Sequence, residues 1–302
     1  MAETRPAGTA MPFDMAWDIA DKVVLITGGT TGIGRATVEA LAARGAHVVF
    51  TARDAALGRT VIDEVTATTR NPSIEQRQLN LDDLGAVRSF ASNFIADHPA
   101  LHVLINNSAV MLRERRSTVD GHELTFGVNH LGHFQLVRSL LPLIQASAPA
   151  RILNVASDAH KWVRGMDFAD LSAKSGRYGA RRGRKAYAAS KLANMLFTRE
   201  LAKRLDPAAV TANSLHPGAV RTRLGRDTEA TQMGEFFWTV IGMFFTTPQK
   251  GAQTTLWAAT SPELSLVSGQ YFAKSKIATP NKNACDDNAA ARLWEISESL
   301  TA

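Results

Sequence analysis

Apolar residues fall into short β-branched runs separated by longer stretches of helical spacing. Residues 22–27, Lys-Val-Val-Leu-Ile-Thr, predict a buried strand that ends in glycines. Over 36–44, Val38, Leu41 and Ala42 share one helical face, and Gly45 stops the helix. The alternation continues with strand 46–51, helix 55–68, strand 75–81, helix 84–97 and strand 101–105, which ends at Asn106 and Asn107. Helix 122–146, strand 151–155 and a helix carrying Tyr187 to about residue 205 follow, then strand 210–215, stopped by His216-Pro217-Gly218. Helix 251–260 and strand 268–273 close the pattern. Short strands alternating with helices predict an α/β fold built on a doubly wound parallel sheet. No repeat or Pro/Gly/Ser linker divides the chain, so a single domain is expected over 21–302, after a loose arm over 1–20 marked by Pro6, Gly8 and Pro12.

Composition changes this picture little. The 302 residues are 45% hydrophobic and 21% charged, the balance of an ordinary globular protein. The net charge of +6 is unevenly spread: Arg177, Arg181, Arg182, Arg184 and Lys185 crowd the approach to Tyr187, and no acid lies between Asp170 and Glu200. Tyr178 is the lone aromatic beside them, too little for a stacking platform, so a nucleic-acid partner is not expected. Cys285 is the only cysteine, which excludes an intramolecular disulfide and suits a reducing, cytoplasmic compartment. The N-terminal residues lack the apolar core of a signal peptide. The apolar run over 236–245, Phe-Phe-Trp-Thr-Val-Ile-Gly-Met-Phe-Phe, is too short to span a bilayer, which takes about 20 residues. It reads first as a lid over an apolar substrate, then as a contact between copies of the chain, then as a membrane contact. The last is disfavoured because no Lys or Arg lies between Arg226 and Lys250.

Candidate chemistry sits at or beyond the carboxyl ends of the strands, where such sheets collect ligands, and on one helix. Tyr187 and Lys191 stand four residues apart and share a helix face. A cation beside a phenol favours the phenolate, so Lys191 is expected to lower the Tyr187 pKa. Gly28, Gly32 and Gly34 join the first strand to its helix, a turn that brings backbone N–H groups to a pyrophosphate. Where an NAD site places a carboxylate at the end of the second strand, this chain has Ala52 followed by Arg53. A guanidinium suits a 2′-phosphate, so NADP(H) is expected over NAD(H), with Asp54 as a competing partner for Arg53. His130 and His133, three apart on a helix, have no acid or cysteine at ligand spacing, and a metal is not expected there. His160 and His216 lie nearer the cleft and read as surface loop residues or substrate contacts.

Thr27-Gly-Gly-Thr-Thr-Gly-Ile-Gly34, Asn106-Asn107, Asn129, Ser157, Tyr187-x-x-x-Lys191 and Pro217-Gly218 together resemble the short-chain dehydrogenase/reductases, a Rossmann-like family, in the right order over about residues 20–300. Phe126-Gly-Val-Asn-His-Leu-Gly-His-Phe134, Tyr187-Ala-Ala-Ser-Lys-Leu-Ala-Asn194, Gly251-Ala-Gln-Thr254 and Arg292-Leu-Trp-Glu-Ile-Ser297 resemble its retinol-dehydrogenase-like branch. The resemblance implies Tyr187 as acid or base, Ser157 as hydrogen-bond donor to the substrate oxygen, and Lys191 on the nicotinamide ribose. It implies Asn129 as support for a water linking Lys191 to solvent. It places the cofactor against Gly28, Thr30, Thr31, Gly32, Ile33 and Gly34, against Arg53, Asn80 and Leu81, and against Asn106, Ser108 and Ala109. It adds Tyr187 and Lys191 themselves, then Pro217, Gly218, Val220 and Thr222.

The chain departs from the family's Asn-Asn-Ala-Gly at Ser108 and Ala109, has Asn80 where an aspartate is common, and Ala156 in place of the first serine of a pair. Substrate-side segments are expected over about 158–186 and 223–249. The expected activity is interconversion of a carbonyl and a primary or secondary alcohol on a hydrophobic small molecule. A non-catalytic NADP(H)-binding scaffold or redox sensor stands as the alternative, and self-association is left open.

Overall fold

The computed structural model describes residues 17–174, 176–218 and 247–302. The chain opens with β1 (Val23–Ile26), α1 (Gly32–Ala42), β2 (His47–Ala52), α2 (Ala55–Thr69), β3 (Ile74–Gln78), α3 (Leu84–Asp97) and β4 (Val103–Asn106). A helical turn at Leu124–Phe126 passes into a π-helical turn, Gly127–Leu131, and then α4 (Gly132–Ala146). β5 (Ala150–Val155), a 3₁₀ turn at Asp158–Trp162, α5 (Ala180–Arg204), β6 (Val210–His216), α6 (Pro248–Thr260), β7 (Tyr271–Ala273), β8 (Lys276–Ile277) and α7 (Asp287–Leu300) complete it. The strands form one sheet in the order β3-β2-β1-β4-β5-β6-β7-β8, parallel except for the last pair.

Pleat alternation explains the layers. Val23 and Leu25 of β1 face one core, with Phe90, Phe94, Phe134, Phe197 and Trp294. Val24 and Ile26 face the other, with Val38, Leu41, Val61 and Phe272. Each of β1, β4 and β5 is buried throughout, as central strands covered on both faces must be, whereas edge strand β3 is only partly buried. Helix starts follow local chemistry: Asp54, Asp83 and Asp286 accept backbone N–H bonds at the heads of α2, α3 and α7.

The structure amends the sequence reading in four places. The helix expected over 122–146 runs from Leu124 to Ala146 but widens into a π turn at Gly127–Leu131, where the Asn129 side chain accepts from the Val110 N–H (2.8 Å) and donates to its carbonyl (2.9 Å). The strand expected over 75–81 stops at Gln78, and Leu81 packs against Gly132, where a Cβ would lie 2.5 Å from the Leu81 carbonyl oxygen. The apolar pattern predicts neither β8 nor α7. β8 arises from a tight turn with Lys274 and Ser275 both at positive φ, and α7 lays Leu293 and Trp294 onto α5 and α4. The core also begins before residue 21: Ile19 is buried, the Trp17 indole donates to the Ala259 carbonyl (2.7 Å), and buried Arg151 stacks on its ring at 4.2 Å. Residues 1–16 of the expected arm, and 236–245 of the expected lid, lie outside the described residues.

Candidate active site

The turn from β1 to α1 brings the chain back on itself. Gly28 and Gly32 take positive φ (+72° and +58°), the left-handed region open to glycine. A Cβ on Gly34 would lie 2.0 Å from the Gly28 carbonyl oxygen. Thr27 pins the turn to the end of β4: its Oγ1 accepts from the N–H groups of Asn107 (2.8 Å) and Ser108 (2.9 Å). The Asn107 amide donates back to the Thr27 carbonyl (2.9 Å). Thr31 precedes α1 without a side-chain cap, and no acid occupies the first turn. The first N–H groups of this 11-residue helix therefore lack a carboxylate competitor, and a pyrophosphate fits there. Thr30, Thr31, Ile33 and Ser108 line or flank this turn, and the Ser108 hydroxyl stands 2.6 Å from where a Gly28 Cβ would be.

Arg53 is exposed just past buried Ala52. Its competitor is otherwise engaged: the Asp54 carboxylate accepts from Ala56 (2.8 Å) and Leu57 (3.1 Å) at the head of α2. Asn80 is exposed beyond β3, and Ala109 is half-buried beyond β4. Asn106, by contrast, turns into the protein. Its amide donates to Asn154 Oδ1 (2.7 Å), Asn154 donates to Thr198 of α5 (2.9 Å), and Asn106 Oδ1 is left without a partner among the described residues.

At the other end of the cleft, Ser157 leaves β5 and accepts from the Ala159 N–H (3.2 Å). Tyr187 and Lys191 come in on α5, both buried. Burial pushes the Tyr187 phenol up to about 12, with the neighbouring Ser157 hydroxyl acting the other way. Burial pulls the Lys191 ammonium down to about 7. The expected lowering of Tyr187 by Lys191 is not what the geometry produces. Lys191 Nζ donates to the Val155 carbonyl (2.9 Å) and lies 5.6 Å from the centre of the Tyr187 ring, so desolvation dominates. Asn129 joins the same helix: its amide donates to Ser190 Oγ (2.9 Å), and Ser190 donates to the Tyr187 carbonyl (2.8 Å). Pro217 and Gly218 follow β6 at the carboxyl end of the sheet. Val220 and Thr222 lie outside the described residues.

Spacing did not reveal two groups near this centre. His160 is buried, not a surface loop residue. It accepts from the Asn281 N–H at Nε2 (3.2 Å), so its proton is on Nδ1, which donates to the Ser157 carbonyl (2.7 Å). Asp158 gathers Tyr271 (3.0 Å), Lys161 (2.8 Å) and, at 3.8 Å, His216. The links to Asn281, Tyr271 and His216 span far too much sequence for periodicity to show. His130 is fully buried, contacts Ser297 Oγ (2.8 Å), and is driven down to about 3 by burial. His47, Glu75 and His98 do cluster, at the opposite edge of the sheet, where Glu75 is already paired with His98 and Arg77.

Residues 22–233 match the short chain dehydrogenase family. Human retinol dehydrogenase 11 is 43% identical over 276 residues, covering 91% of this chain and 84% of that protein. Mouse retinol dehydrogenase 13 is 40% identical over 302 residues, covering 97% and 87%. The solved structure of an uncharacterized Mycobacterium paratuberculosis protein superposes with a TM-score of 0.73 at 32% identity, over 97% of this chain and 98% of that one. The chain thus belongs to the short-chain dehydrogenase/reductase family, on its retinol-dehydrogenase-like side, and is an alcohol/carbonyl oxidoreductase.

Proposed function

We propose that the protein interconverts a carbonyl and an alcohol on an apolar small molecule with NADP(H), using Tyr187 as acid–base. The observation that carries this reading is the meeting of Ser157, just past β5, with the buried Tyr187 and Lys191 of α5. The Gly28–Gly34 turn would hold a nicotinamide cofactor, whose ring would supply or accept the hydride. A phenol with a pKa of about 12 is fully protonated at neutral pH, ready to give its proton to a developing alkoxide, which is far more basic. Ser157 is held by Ala159 and, through His160, at its own carbonyl, so its hydroxyl is preorganised for the same oxygen. Lys191, with its pKa drawn near neutrality by burial, can take up or release a proton beside Tyr187.

Arg53 supports NADP(H) over NAD(H), since the Asp54 carboxylate is held at the head of α2 rather than paired with Arg53. The apolar substrate class rests on the residues over 236–245 and on the retinol named for the relatives. Among the described residues no helix is long and apolar enough to cross a membrane. The single cysteine suits a reducing compartment, and on that ground we place the protein in the cytoplasm.

The test is NADPH and NADH oxidation across a panel of apolar and polar carbonyls, with Tyr187→Phe and Arg53→Ala alongside. Tyr187→Phe is expected to bind NADPH and not turn over, and Arg53→Ala to lose about tenfold of its NADPH preference. Wild-type-like turnover by Tyr187→Phe refutes the assignment. Tight NADPH binding with no oxidation of any carbonyl by the wild type favours a non-catalytic scaffold.

A further inference from the structure

We propose that His133 is a positioning residue that ties the cofactor turn to the Asn129 carbonyl at the proton-transfer end of the cleft, an inference that rests on the reading of that cleft above. The carrying observation is a proton count. Thr27 Oγ1 already accepts two backbone N–H groups, those of Asn107 and Ser108. Both lone pairs are thus used, and the hydroxyl proton is left for the third partner, His133 Nε2 at 2.9 Å. Nε2 then carries no proton. The neutral ring holds it on Nδ1, which donates to the Asn129 main-chain carbonyl at 3.1 Å. No other protonation of a neutral His133 satisfies all four groups.

The two ends of this bridge matter separately. Thr27 is the residue that anchors the glycine turn to β4. Asn129 has spent both amide protons, on the Val110 carbonyl and on Ser190, so only an oxygen of this residue is left to accept from a water. Its carbonyl sits in the π turn, where the helix ladder is widened. His133 aims that carbonyl by occupying one of its lone pairs. Burial holds the ring down to about 4, and the Lys191 charge pushes the same way, so the bridge stays neutral at working pH and lies within the field of Lys191. Any shift of the glycine turn on cofactor binding passes through one rigid ring to the carbonyl beside the Tyr187 helix.

Two measurements test this. In ¹⁵N-histidine NMR of the wild-type protein, His133 is expected as the Nδ1–H tautomer, unchanged from about pH 6 to about pH 9. An Nε2–H tautomer overturns the proposal whatever the activity. In parallel, NADPH oxidation is followed in H₂O and D₂O for wild type, His133→Gln and His133→Phe. The Phe variant fills the ring's space without either hydrogen bond. It is expected to lose about tenfold in kcat and to show a larger solvent isotope effect, with carbonyl KM within about threefold. The Gln variant keeps an acceptor and a donor and is expected to recover most of kcat. If Phe does not fold, the tautomer still decides. A Phe variant with the kcat and the isotope effect of the wild type overturns the coupling. A wild type inactive on every carbonyl overturns the reading of the cleft and the coupling with it, whereas an active wild type with the Nε2–H tautomer overturns the coupling alone.

Discussion

Replacing Lys191 by Met should stabilise the cofactor-free protein while destroying its activity. Lys191 is buried, and its pKa falls from 10.5 to about 7. At about 1.4 kcal/mol per unit, holding that group at pH 7 costs the fold about 4–5 kcal/mol. Methionine has similar length and no charge. Its loss is the bond to the Val155 carbonyl, about 1–2 kcal/mol, softened because the Asn194 amide also reaches that oxygen at 3.5 Å. The net gain is about 3 kcal/mol, or roughly 5 °C in Tm for a chain of this size. The pH dependence is the sharper signature. Between the folded value of about 7 and the unfolded value of 10.5, the unfolded chain holds a proton that the folded one has released. Wild-type stability therefore rises with pH across that window, by up to about 1.4 kcal/mol per unit, and the penalty is full below it. Tyr187 acts in the opposite sense, but only above its unfolded value of 10.0, because its folded pKa is raised. Urea unfolding of both proteins at about pH 7 and about pH 9.5 isolates the Lys191 contribution as the difference in slope. A variant less stable than wild type at pH 7, or a difference that does not change with pH, refutes the reasoning.

Other perturbations read other parts of the site. Gly34→Ala forces a methyl group to 2.0 Å from a backbone oxygen, so the turn must open. A loss of about 1–3 kcal/mol in stability and of about tenfold in NADPH affinity is expected by calorimetry; unchanged affinity would show that the turn does not hold the cofactor. His160→Phe keeps the ring and removes both of its hydrogen bonds, to Ser157 and Asn281. Steady-state kinetics should show kcat down by about tenfold with NADPH binding intact, and equal kcat would mean that Ser157 needs no such support.

The alternation of strands and helices was legible in the sequence because burial on both faces of a parallel sheet leaves unbroken apolar runs, as in β1, β4 and β5. So was the order of the chemical residues, since a helix puts Tyr187 and Lys191 on one face whatever surrounds it. Glycine spacing marked the turn before α1 for the same local reason: only a residue without a Cβ tolerates the Gly28–Gly34 approach. The rest depended on contacts between distant segments. Asn129, in the π turn of its helix, finds a paired donor and acceptor in Val110, 19 residues away. Asp54 leaves Arg53 to the solvent because the head of α2 holds its carboxylate. His133 and His160 acquire single tautomers only when Thr27 and Asn281 arrive as partners. The pKa values of Tyr187 and Lys191 moved opposite to a pairwise expectation for Tyr187, because desolvation depends on everything packed around a group. Sequence neighbours determine which groups share a face; the folded surroundings decide which protons they keep.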